Sequence, residues 1–372
     1  MKLLLDATVL EYPATGVAKV TLGLYRTCQR LDPSLAVTAI HRRPLTAPLP
    51  PGIRSSQRGS FLPASLWRQI SLPFATRGSK NPVVHFPWNG NVPRLGRSTT
   101  VLTTIHDILP LSIPGYFPDT ADESRYRRAR QTDISRTDLL LTDSEYSKQE
   151  ILKNFQVQVS GEPVVIPFGP TLDPTRLPSR TAGQGAYFLY VGGYDPRKGL
   201  QQLLTAFLDL RKERKLHSKL VLTGSRLHVS ETFRRLVTEG AGMGAVEELG
   251  YVPDDTLASL YANATVLVYP SKYEGFGLPP LEAMALGCPV ITTRCTSLPE
   301  VCGDAAYYID ADSPESIAQS LVDFETNPEL RSAYSAKGKT QSAKFTWDRA
   351  AATFLGALDR TIRQRKTEHR SE

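Results

Sequence analysis

Two glutamates bracket a glycine-containing loop and the start of a helix, and they carry the clearest chemical signal in the sequence. Residues 271–285 read SKYEGFGLPPLEAMA and directly follow the apolar run TVLVYP. The glycines let the backbone approach a ligand and direct N–H groups towards it, and the paired prolines fit a first helical turn. Glu274 therefore falls in the loop and Glu282 in the first turns of the helix, at a spacing that does not put both on one helical face. This pattern favours an extended polyhydroxylated ligand that meets a carboxylate at each end, with an anionic group on the helix N-terminus between them.

Two adjacent cations form a second candidate site. Residues 191–199 read VGGYDPRKG and come at the end of another apolar run. Arg197 and Lys198 open the helical stretch that follows, where positive charge opposes the helix dipole unless an anion binds there. The pair therefore predicts contact with a phosphate group. The alternative is a solvated charge pair at the start of a helix.

A histidine and an aspartate stand at the end of the apolar run VLTTIH. We place His106 and Asp107 at the carboxyl edge of a strand, where open α/β sheets bind their ligands. Asp107 either orients the imidazole or caps a helix. Phe86 and Trp88, in the proline-bounded segment HFPWNGNVP, either stack on a sugar ring or anchor the local core.

No metal site is predicted. Asp310 and Asp312 have the spacing of a divalent-metal motif, but they precede the helical stretch SPESIAQSLVDF, where Asp312 or Ser313 is the expected N-cap. The cysteines are too sparse for a disulfide scaffold, and they lack the close pairs and neighbouring histidines of a zinc site. We expect buried, unreactive thiols at Cys28, Cys288, Cys295 and Cys302.

The excess positive charge lies in the first half of the chain. Of the 372 residues, 1–106 hold 13 Lys or Arg and three acidic residues, a net charge of +10, whereas 171–372 hold 24 of each sign. A basic half indicates an anionic partner such as a lipid phosphate or a membrane surface. The charges are scattered and match no RNA-binding or zinc-finger pattern, so nucleic acid is not expected. The arginine-rich stretch 123–136 is either a solvated helix face or a contact to lipid head groups.

Neither a targeting segment nor a membrane span is predicted. Every apolar run is shorter than the roughly 20 residues that cross a bilayer. The initial run MKLLLDATVLEY is interrupted by Asp6 and lacks a small-residue cleavage site, so it predicts a first strand. We therefore expect a cytoplasmic protein.

Short apolar runs alternate with helical stretches along the whole chain, which predicts an α/β fold of doubly wound parallel sheets. Predicted strands lie at 2–5, 36–40, 83–86, 100–105, 138–141, 164–166, 186–191, 219–222, 246–249, 264–269, 289–292 and 306–309. Predicted helices lie at about 16–31, 120–136, 145–155, 199–215, 230–239, 255–263, 280–287, 314–325 and 328–342.

The length of the chain favours two domains with a binding cleft between them. We place them at 1–168 and 186–345, joined by the linker 169–185, which is rich in Pro, Gly, Ser and Thr. A further helix at about 346–366 is expected to pack back on the first domain.

The run EGFGLPPLEAMALGCPVI resembles the E-x7-E signature of the retaining glycosyltransferases of family 4. Those enzymes have the GT-B architecture, in which two Rossmann-like domains face each other across a cleft. The resemblance extends over nearly the whole chain, because further segments match in the right order: TGV at 15–17, TIHD at 104–107, TDSEYSK at 142–148, VGGYDPRKG at 191–199, and LGYVP at 249–253 with Leu257 following.

The resemblance implies a role for each matched residue. Glu282 would bind the donor ribose, and Glu274 would bind hydroxyls of the transferred sugar. Arg197 and Lys198 would neutralise the diphosphate, with Arg197 replacing an arginine that many relatives have where this chain has Gly193. The other donor-binding positions are Gly16, Gly192, Gly193, Thr223, Gly224, Tyr251, Val252, Leu257, Gly275, Phe276, Gly277 and Leu278.

For the catalytic and acceptor sides the assignments are fewer. His106 joins Arg197, Lys198 and Glu274 as a catalytic candidate, because the resemblance implies that it contacts the sugar or the acceptor. Trp88, His106 and Asp107 are the acceptor-side candidates. Gly16 opens the first predicted helix, where it either approaches a phosphate or is a plain turn glycine.

Together these features lead us to expect a retaining, metal-independent hexosyltransferase that needs no cofactor. The donor would be a nucleoside diphosphate sugar, with UDP-glucose or a similar UDP-hexose as the first choice and GDP-mannose as the alternative. The basic first half suggests a saccharide acceptor on a polyprenyl diphosphate and reversible contact with an anionic membrane, in polysaccharide or glycoconjugate biosynthesis. Two alternatives from other classes are a non-catalytic nucleotide-sugar-binding protein and a GT-B enzyme of different chemistry, such as a nucleotide-sugar epimerase or hydrolase.

Overall fold

A computed structural model describes residues 2–12, 15–157, 161–176, 186–225 and 230–371. The chain divides into two compact units. The N-terminal unit consists of Met1–Gly169 with Thr346–Glu372, and the C-terminal unit of Pro170–Phe345. Most of the predicted linker, 177–185, lies outside the described residues.

Each unit is built on a parallel sheet. The strands are β1 (Lys2–Asp6), β2 (Ala36–His41), β3 (Arg54–Gln57), β4 (Val83–Phe86), β5 (Thr100–Thr104), β6 (Leu139–Thr142), β7 (Val164–Val165), β8 (Tyr187–Val191), β9 (Lys219–Thr223), β10 (Val246–Gly250), β11 (Val266–Tyr269), β12 (Val290–Thr293) and β13 (Tyr307–Ile309). In the described part of the chain, the N-terminal sheet has the order β3-β2-β1-β4-β5-β6-β7 and the C-terminal sheet β10-β9-β8-β11-β12-β13.

Helices connect the strands. They are α1 (Gly16–Leu31), α2 (Ala64–Thr76), α3 (Leu109–Ser112), α4 (Thr120–Ser135), α5 (Glu145–Asn154), α6 (Leu200–Lys212), α7 (Glu231–Gly242), α8 (Asp254–Asn263), α9 (Leu278–Ala285), α10 (Leu298–Cys302), α11 (Pro314–Thr326), α12 (Pro328–Ser342) and α13 (Trp347–Ser371). The prediction of an α/β fold with parallel sheets is confirmed. The central strands are buried along their length, as helices on both faces of a sheet require.

Strand β3 and helices α2, α3 and α10 were not predicted, and several strands differ from their predicted bounds by one or two residues. Strand β3 and helices α3 and α10 are brief, and α2 contains Pro73, which is unusual inside a helix. Strand β5 ends at Thr104, which places His106 in the loop and not at the end of the strand. Helix α9 begins at Leu278, two residues before the predicted start.

Helix α13 is attached to the N-terminal unit through a tryptophan at its first residue. The Trp347 ring lies against α1 so closely that a Cβ on Gly23 would be 2.6 Å from its Cζ2 atom. A Cβ on Gly169 would be 2.8 Å from the Cδ1 atom of the same ring, and the Phe168 ring lies 5.8 Å away. Glycine is therefore required for packing at both places.

No described helix is both long and apolar enough to cross a membrane.

The contact between Gly23 and Trp347 predicts an unusual response to a helix substitution. Replacing glycine by alanine inside a helix normally stabilises it by about 0.5–1 kcal/mol. We expect Gly23→Ala to destabilise the N-terminal unit by about 1–3 kcal/mol, because the new methyl group would clash with the Trp347 ring. Gly169 packs against the same ring, which leaves it little room to move away.

Urea unfolding followed by tryptophan fluorescence measures this effect, since all three tryptophans lie in the N-terminal unit. Gly356→Ala in α13 is the matched control, because its Cβ would meet only the Arg360 Nη1 atom, at 3.5 Å. It should keep or raise the unfolding midpoint. A stabilised Gly23→Ala variant would show that the ring is free to move.

Candidate active site

The loop between β11 and α9 is held in place by hydroxyl groups from the segment after β12. The Thr296 hydroxyl accepts a hydrogen bond from the Glu274 amide at 2.9 Å. The Ser297 hydroxyl donates to the carbonyls of Glu274 and Phe276 at 2.9 and 2.8 Å. Gly277, the residue before α9, has a φ of +115°, which favours glycine. The loop is thus fixed by side chains that come later in the sequence.

Within this loop, Glu274 carries a buried carboxylate surrounded by donors. Its Oε1 atom lies 2.5 Å from Lys198 Nζ, 2.7 Å from the Tyr269 hydroxyl and 2.5 Å from the Ser271 hydroxyl. Arg197 Nη1 is 3.6 Å from the same oxygen. Burial favours a high pKa for Glu274, but the charges of Lys198 and Arg197 outweigh it and lower the pKa below its usual range. The carboxylate is therefore ionised.

The two predicted cations reach this carboxylate from a short helical turn, Pro196–Lys198, after β8. Asp195 caps the turn, and the Lys272 amide donates to the Arg197 carbonyl at 2.9 Å. Arg197 Nη1 also donates to the Tyr273 carbonyl at 2.5 Å. Burial lowers the pKa of Lys198 despite the neighbouring carboxylate. The structure thus brings together Arg197, Lys198 and Glu274. Lys198 and Glu274 are 76 positions apart in the sequence.

Glycines at the ends of β8 and β9 allow two loops to touch. A Cβ on Gly224, which has a φ of +139°, would lie 1.8 Å from the Gly192 carbonyl oxygen. Gly192 itself has a φ of +156°, and its amide donates to the Thr223 carbonyl at 2.9 Å. Gly193 is less constrained, since the nearest atom to its Cβ would be the Ser225 hydroxyl at 3.5 Å. Packing between the loops explains two of the three predicted glycines without a ligand.

Three of the predicted donor-binding residues follow β10. Tyr251 is exposed over 64% of its surface, Val252 is half-buried, and Leu257 is buried in α8. Of the three, Tyr251 presents the largest free surface.

Glu282 lies in α9 and is buried. Its Oε1 atom accepts a hydrogen bond from the Thr171 hydroxyl, and its Oε2 atom lies 3.4 Å from the Tyr261 hydroxyl. Burial, followed by the charge of Glu282, raises the pKa of Tyr261, so the tyrosine stays a donor. Both carboxylates of the motif are thus surrounded by hydroxyl donors within the C-terminal unit.

In the N-terminal unit, His106 is buried, and both of its ring nitrogens face acceptors. Nδ1 is 2.7 Å from Asp143 Oδ2, and Nε2 is 2.9 Å from the Pro87 carbonyl oxygen. Burial favours a low pKa, but the charge and hydrogen bond of Asp143, with the Pro87 carbonyl, raise the pKa of His106 to about 8. The imidazolium form satisfies both acceptors at once, so His106 is charged and donates through both N–H groups.

The two readings of Asp107 are resolved in part. Asp143, and not Asp107, orients the His106 imidazole. The Oδ1 atom of Asp107 accepts from the Leu109 amide at 3.2 Å, two residues along the chain, but the N-cap of α3 is Ile108, so Asp107 is not the cap residue. The Asn89 side chain bridges this region by accepting from the His106 amide and donating to the Asp107 carbonyl, both at 2.9 Å.

The two aromatic residues of the segment after β4 have different roles. Phe86 is a core residue with 1% exposure, whereas Trp88 is 43% exposed. Trp88 lines a cavity of about 360 Å³ in the N-terminal unit, together with Asn89 and Arg130. An aromatic ring beside amide and guanidinium donors is a suitable surface for a sugar ring.

Arg130 departs from the prediction for the arginine-rich helix α4. It is buried, and its Nη2 atom lies 2.8 Å from Asp133 Oδ2, so it belongs neither to a solvated face nor to a lipid contact. Its Nε and Nη1 atoms have no hydrogen-bond partner among the described residues. In the same helix, Arg125 and Arg127 form partly exposed pairs with Asp122 and Glu123.

The metal-like aspartates and the cysteines have ordinary surroundings. Ser313 is the N-cap of α11, and Asp312 is paired with Lys272. No described group of His, Cys, Asp and Glu side chains has the arrangement of a metal site. The described cysteines form no disulfide. Cys28, Cys288 and Cys302 are buried, which raises the pKa of each thiol to about 12. Cys295 is partly exposed, so the prediction of burial is wrong for it.

Several residues around these sites were not singled out from the sequence. Asp143 lies in the segment TDSEYSK, but its pairing with His106 spans 37 positions. Tyr269 and Ser271 lie five and three positions before Glu274. Their hydroxyl groups, so close in the sequence, could have been predicted as hydrogen-bond donors to the carboxylate. Thr171 lies 111 positions from Glu282 in a segment that looked like a plain linker.

The sequence and fold are also similar to known proteins. The family model described as "Glycosyl transferases group 1" matches residues 176–341. The O-antigen chain mannosyltransferase B of Escherichia coli is 31% identical over 384 residues, which is 96% of this chain and 99% of that protein. The O-antigen chain mannosyltransferase RfbU of Salmonella typhimurium is 28% identical over 232 residues, 62% of each chain. The structure of a sucrose-phosphate synthase from Thermosynechococcus elongatus has a TM-score of 0.74 at 18% identity, covering 97% of this chain and 98% of that one.

A parallel α/β fold in two units and a near full-length relative above 30% identity define the class of protein. The chain belongs to the group 1 glycosyltransferases and has the fold of the GT-B enzymes. The resemblance found in the sequence is confirmed at this level, and the narrower assignment to family 4 stays a prediction.

The ion pair between Lys198 and Glu274 predicts strong coupling between the two residues. We expect Lys198→Met to lower the free energy of unfolding of the C-terminal unit by about 3–5 kcal/mol, because it leaves a buried carboxylate without its closest cation. The double variant Lys198→Met/Glu274→Gln should lose less than the two single variants together, by about 1–3 kcal/mol. Scanning calorimetry of the four proteins gives the coupling.

The control is an exposed ion pair of the same unit. Lys212 Nζ lies 2.8 Å from Glu239 Oε1, with both side chains more than a third exposed. Lys212→Met should therefore change stability by less than about 1 kcal/mol. Strictly additive losses at positions 198 and 274 would contradict the coupling.

The raised pKa of His106 predicts a pH-dependent stability of the N-terminal unit. A pKa raised on folding from 6.5 to about 8 stabilises the fold by about 2 kcal/mol. That contribution is fully present below pH 6.5 and is lost as the pH rises through about 8. Asp143→Asn should remove it, so wild type and variant differ most just below pH 6.5 and converge above pH 8. Burial raises the pKa of Asp143, so the difference shrinks again in acid as that carboxylate is protonated. Tryptophan-monitored urea unfolding at several pH values measures the difference, and a gap that does not change with pH would refute the charged pair.

Proposed function

We propose that this chain is a retaining mannosyltransferase that transfers mannose from GDP-mannose to a hydroxyl group of a saccharide during polysaccharide biosynthesis. The observation that carries the proposal is the Glu274–Lys198–Arg197 cluster in a chain whose near full-length relative is an O-antigen chain mannosyltransferase. Both curated relatives described above are mannosyltransferases. They favour the alternative, GDP-mannose, over the UDP-hexose that the sequence first suggested.

The donor site we propose uses the C-terminal unit. Lys198 and Arg197 are the cations for the diphosphate, and they stabilise the charge that develops on the leaving nucleoside diphosphate. The hydrogen bonds that the Glu274 carboxylate accepts from described residues all go to Oε1, so Oε2 is the oxygen we assign to hydroxyls of the transferred sugar. Glu282 binds the ribose. Side-chain cations and the N-terminus of α9 supply the neutralisation, so the reaction needs neither a metal nor another cofactor.

The mechanism we propose is attack on the same face that the leaving group occupies. The bond between the anomeric carbon and the phosphate oxygen breaks as the acceptor oxygen bonds to that carbon, and the acceptor proton passes to the leaving phosphate oxygen. No described residue stands out as a covalent nucleophile. Both ring N–H groups of His106 donate hydrogen bonds, one to the Asp143 carboxylate and one to the Pro87 carbonyl. We therefore assign His106 as a positioning residue and not as the general base.

The acceptor site we propose is the cavity beside Trp88 in the N-terminal unit. The unsatisfied N–H groups of Arg130 and the exposed face of Trp88 support binding of a sugar there. The net charge of +10 over residues 1–106 supports an acceptor carried on a polyprenyl diphosphate at the cytoplasmic face of a membrane.

A donor panel tests the proposal directly. The purified protein is incubated with GDP-mannose or UDP-glucose, with and without a mannose-terminated disaccharide acceptor, and released nucleotide is measured. We expect GDP release only when donor and acceptor are both present, because transfer needs the acceptor. GDP at about 100 times its dissociation constant should stabilise the fold by roughly 2.7 kcal/mol, and UDP by less.

Each of the other outcomes of the donor panel would indicate a different donor or a different function. Preferential UDP release would restore the UDP-hexose donor, and donor consumption without acceptor would indicate a hydrolase or an epimerase. No release from any mixture would favour a binding protein. An inverted anomeric linkage in the product, measured by NMR, would exclude the retaining mechanism.

The two carboxylates should respond differently to substitution. We expect Glu282→Gln to raise the KM for the donor with little change in kcat, because ribose contacts act equally on ground and transition states. Glu274→Gln should mainly lower kcat, because contacts to the reacting sugar strengthen as its charge develops. Steady-state kinetics with the opposite pattern would show that the two assignments are reversed.

A further inference from the structure

Helix α2 and the turn before it expose a row of large apolar side chains to solvent. Leu66, Ile70 and Phe74 are 50%, 49% and 59% exposed, and their spacing of four residues puts them on one face of the helix. Phe61, three residues before α2, is 87% exposed. We call these four residues the α2 stripe. Single exposed apolar residues are common on protein surfaces, but an aligned row is typical of an interaction surface.

Other residues of α2 belong to the protein core. Trp67 and Leu72 are 1% and 0% exposed and pack with Val84 and Phe86 of β4. The Trp67 indole N–H also donates to the Arg58 carbonyl at 2.6 Å. The helix is thus held by its buried residues, and none of the stripe residues belongs to that core cluster. Stability of the fold does not explain the apolar outer face.

The surroundings of the stripe are basic. Residues 33–106 contain nine Lys or Arg and neither Asp nor Glu. Arg58, Arg77 and Lys80 are exposed at the two ends of the helix, and the Arg77 guanidinium lies 5.6 Å from the centre of the Phe74 ring. Apolar side chains flanked by positive charge match the boundary of an anionic bilayer, where the former enter the acyl region and the latter meet lipid phosphates.

We propose that the α2 stripe, with Arg58, Arg77 and Lys80, is a docking surface for an anionic lipid bilayer. Charge argues against a second copy of this chain as the occupant, since two such faces would bring basic residues together. The cavity assigned to the acceptor is lined by Trp67 and Arg68 of the same helix. Docking through α2 therefore suits a lipid-linked acceptor, and to that extent the inference rests on the proposed function.

Vesicle binding tests the surface without requiring transfer. The full chain is sedimented with phosphatidylcholine vesicles that contain or lack phosphatidylglycerol, at low and high salt. The wild type should bind the anionic vesicles and release them at high salt. The variant Leu66→Ser/Ile70→Ser/Phe74→Ser should bind roughly tenfold to hundredfold more weakly, because it loses three insertable apolar side chains. The variant Arg58→Gln/Arg77→Gln/Lys80→Gln should lose roughly tenfold or more, on anionic vesicles only.

Matched controls change similar residues of the C-terminal unit. Met243→Ser/Leu249→Ser removes two exposed apolar side chains, and Lys215→Gln/Arg234→Gln/Arg235→Gln removes three exposed cations. Both should bind vesicles like the wild type. Tryptophan-monitored unfolding checks that the stripe variants keep their fold, which we expect because the substituted residues are exposed.

The outcomes separate this inference from the proposed function. The docking proposal is overturned if the wild type does not bind anionic vesicles, or if the stripe variant binds them as well as the wild type. This holds even if mannose is transferred. Stripe-dependent dimers in sedimentation velocity, without vesicle binding, assign the surface to a second copy and overturn it too. Stripe-dependent vesicle binding without transfer to any acceptor supports the surface and removes the proposed function alone.

Discussion

An ionised carboxylate removed from water is the constraint around which the C-terminal unit is organised. The charge of Glu274 is tolerable in a buried position only because Lys198, Arg197, Tyr269 and Ser271 surround one of its oxygens. These partners come from the turn after β8 and from the end of β11, two strands that are neighbours in the sheet. The parallel order of the strands is what brings the turn and the loop to the same edge, and so it is a condition for the buried charge.

The same cluster also determines the state of the two cations. Lys198 loses hydration in its buried position, which lowers its pKa although the Glu274 carboxylate lies beside it. Arg197 has two acidic neighbours, Asp195 at 3.8 Å and Glu274 at 3.6 Å. A solvated charge pair at the start of a helix, which was the alternative for these two residues, does not describe side chains that are this well buried and this closely paired.

The N-terminal unit uses a buried charge for a different purpose. His106 and Asp143 connect the loop after β5 to the end of β6, and the Pro87 carbonyl adds the end of β4. The neighbouring Asn89 bonds fasten the segment that carries Trp88. The charged pair thus holds the wall of the cavity in place. Arg130 lines the same cavity, and two of its guanidinium nitrogens, Nε and Nη1, have no hydrogen-bond partner among the described residues.

The sequence by itself determined the features whose causes are local. Alternating strands and helices and the loop carrying Glu274 depend on residues close together in the chain, and both are found in the structure, with the helix after that loop beginning two residues before the predicted start. Only the tertiary structure decided which partner each charge has. Asp143 instead of Asp107 orients His106, Thr171 reaches Glu282, and Arg130 turns inward, because these contacts join segments that the sheets bring together from distant positions. Helix α2 shows the same limit: which of its apolar residues are buried, Trp67 and Leu72, and which are exposed, Leu66, Ile70 and Phe74, was decided by the strands it packs on and not by its own pattern.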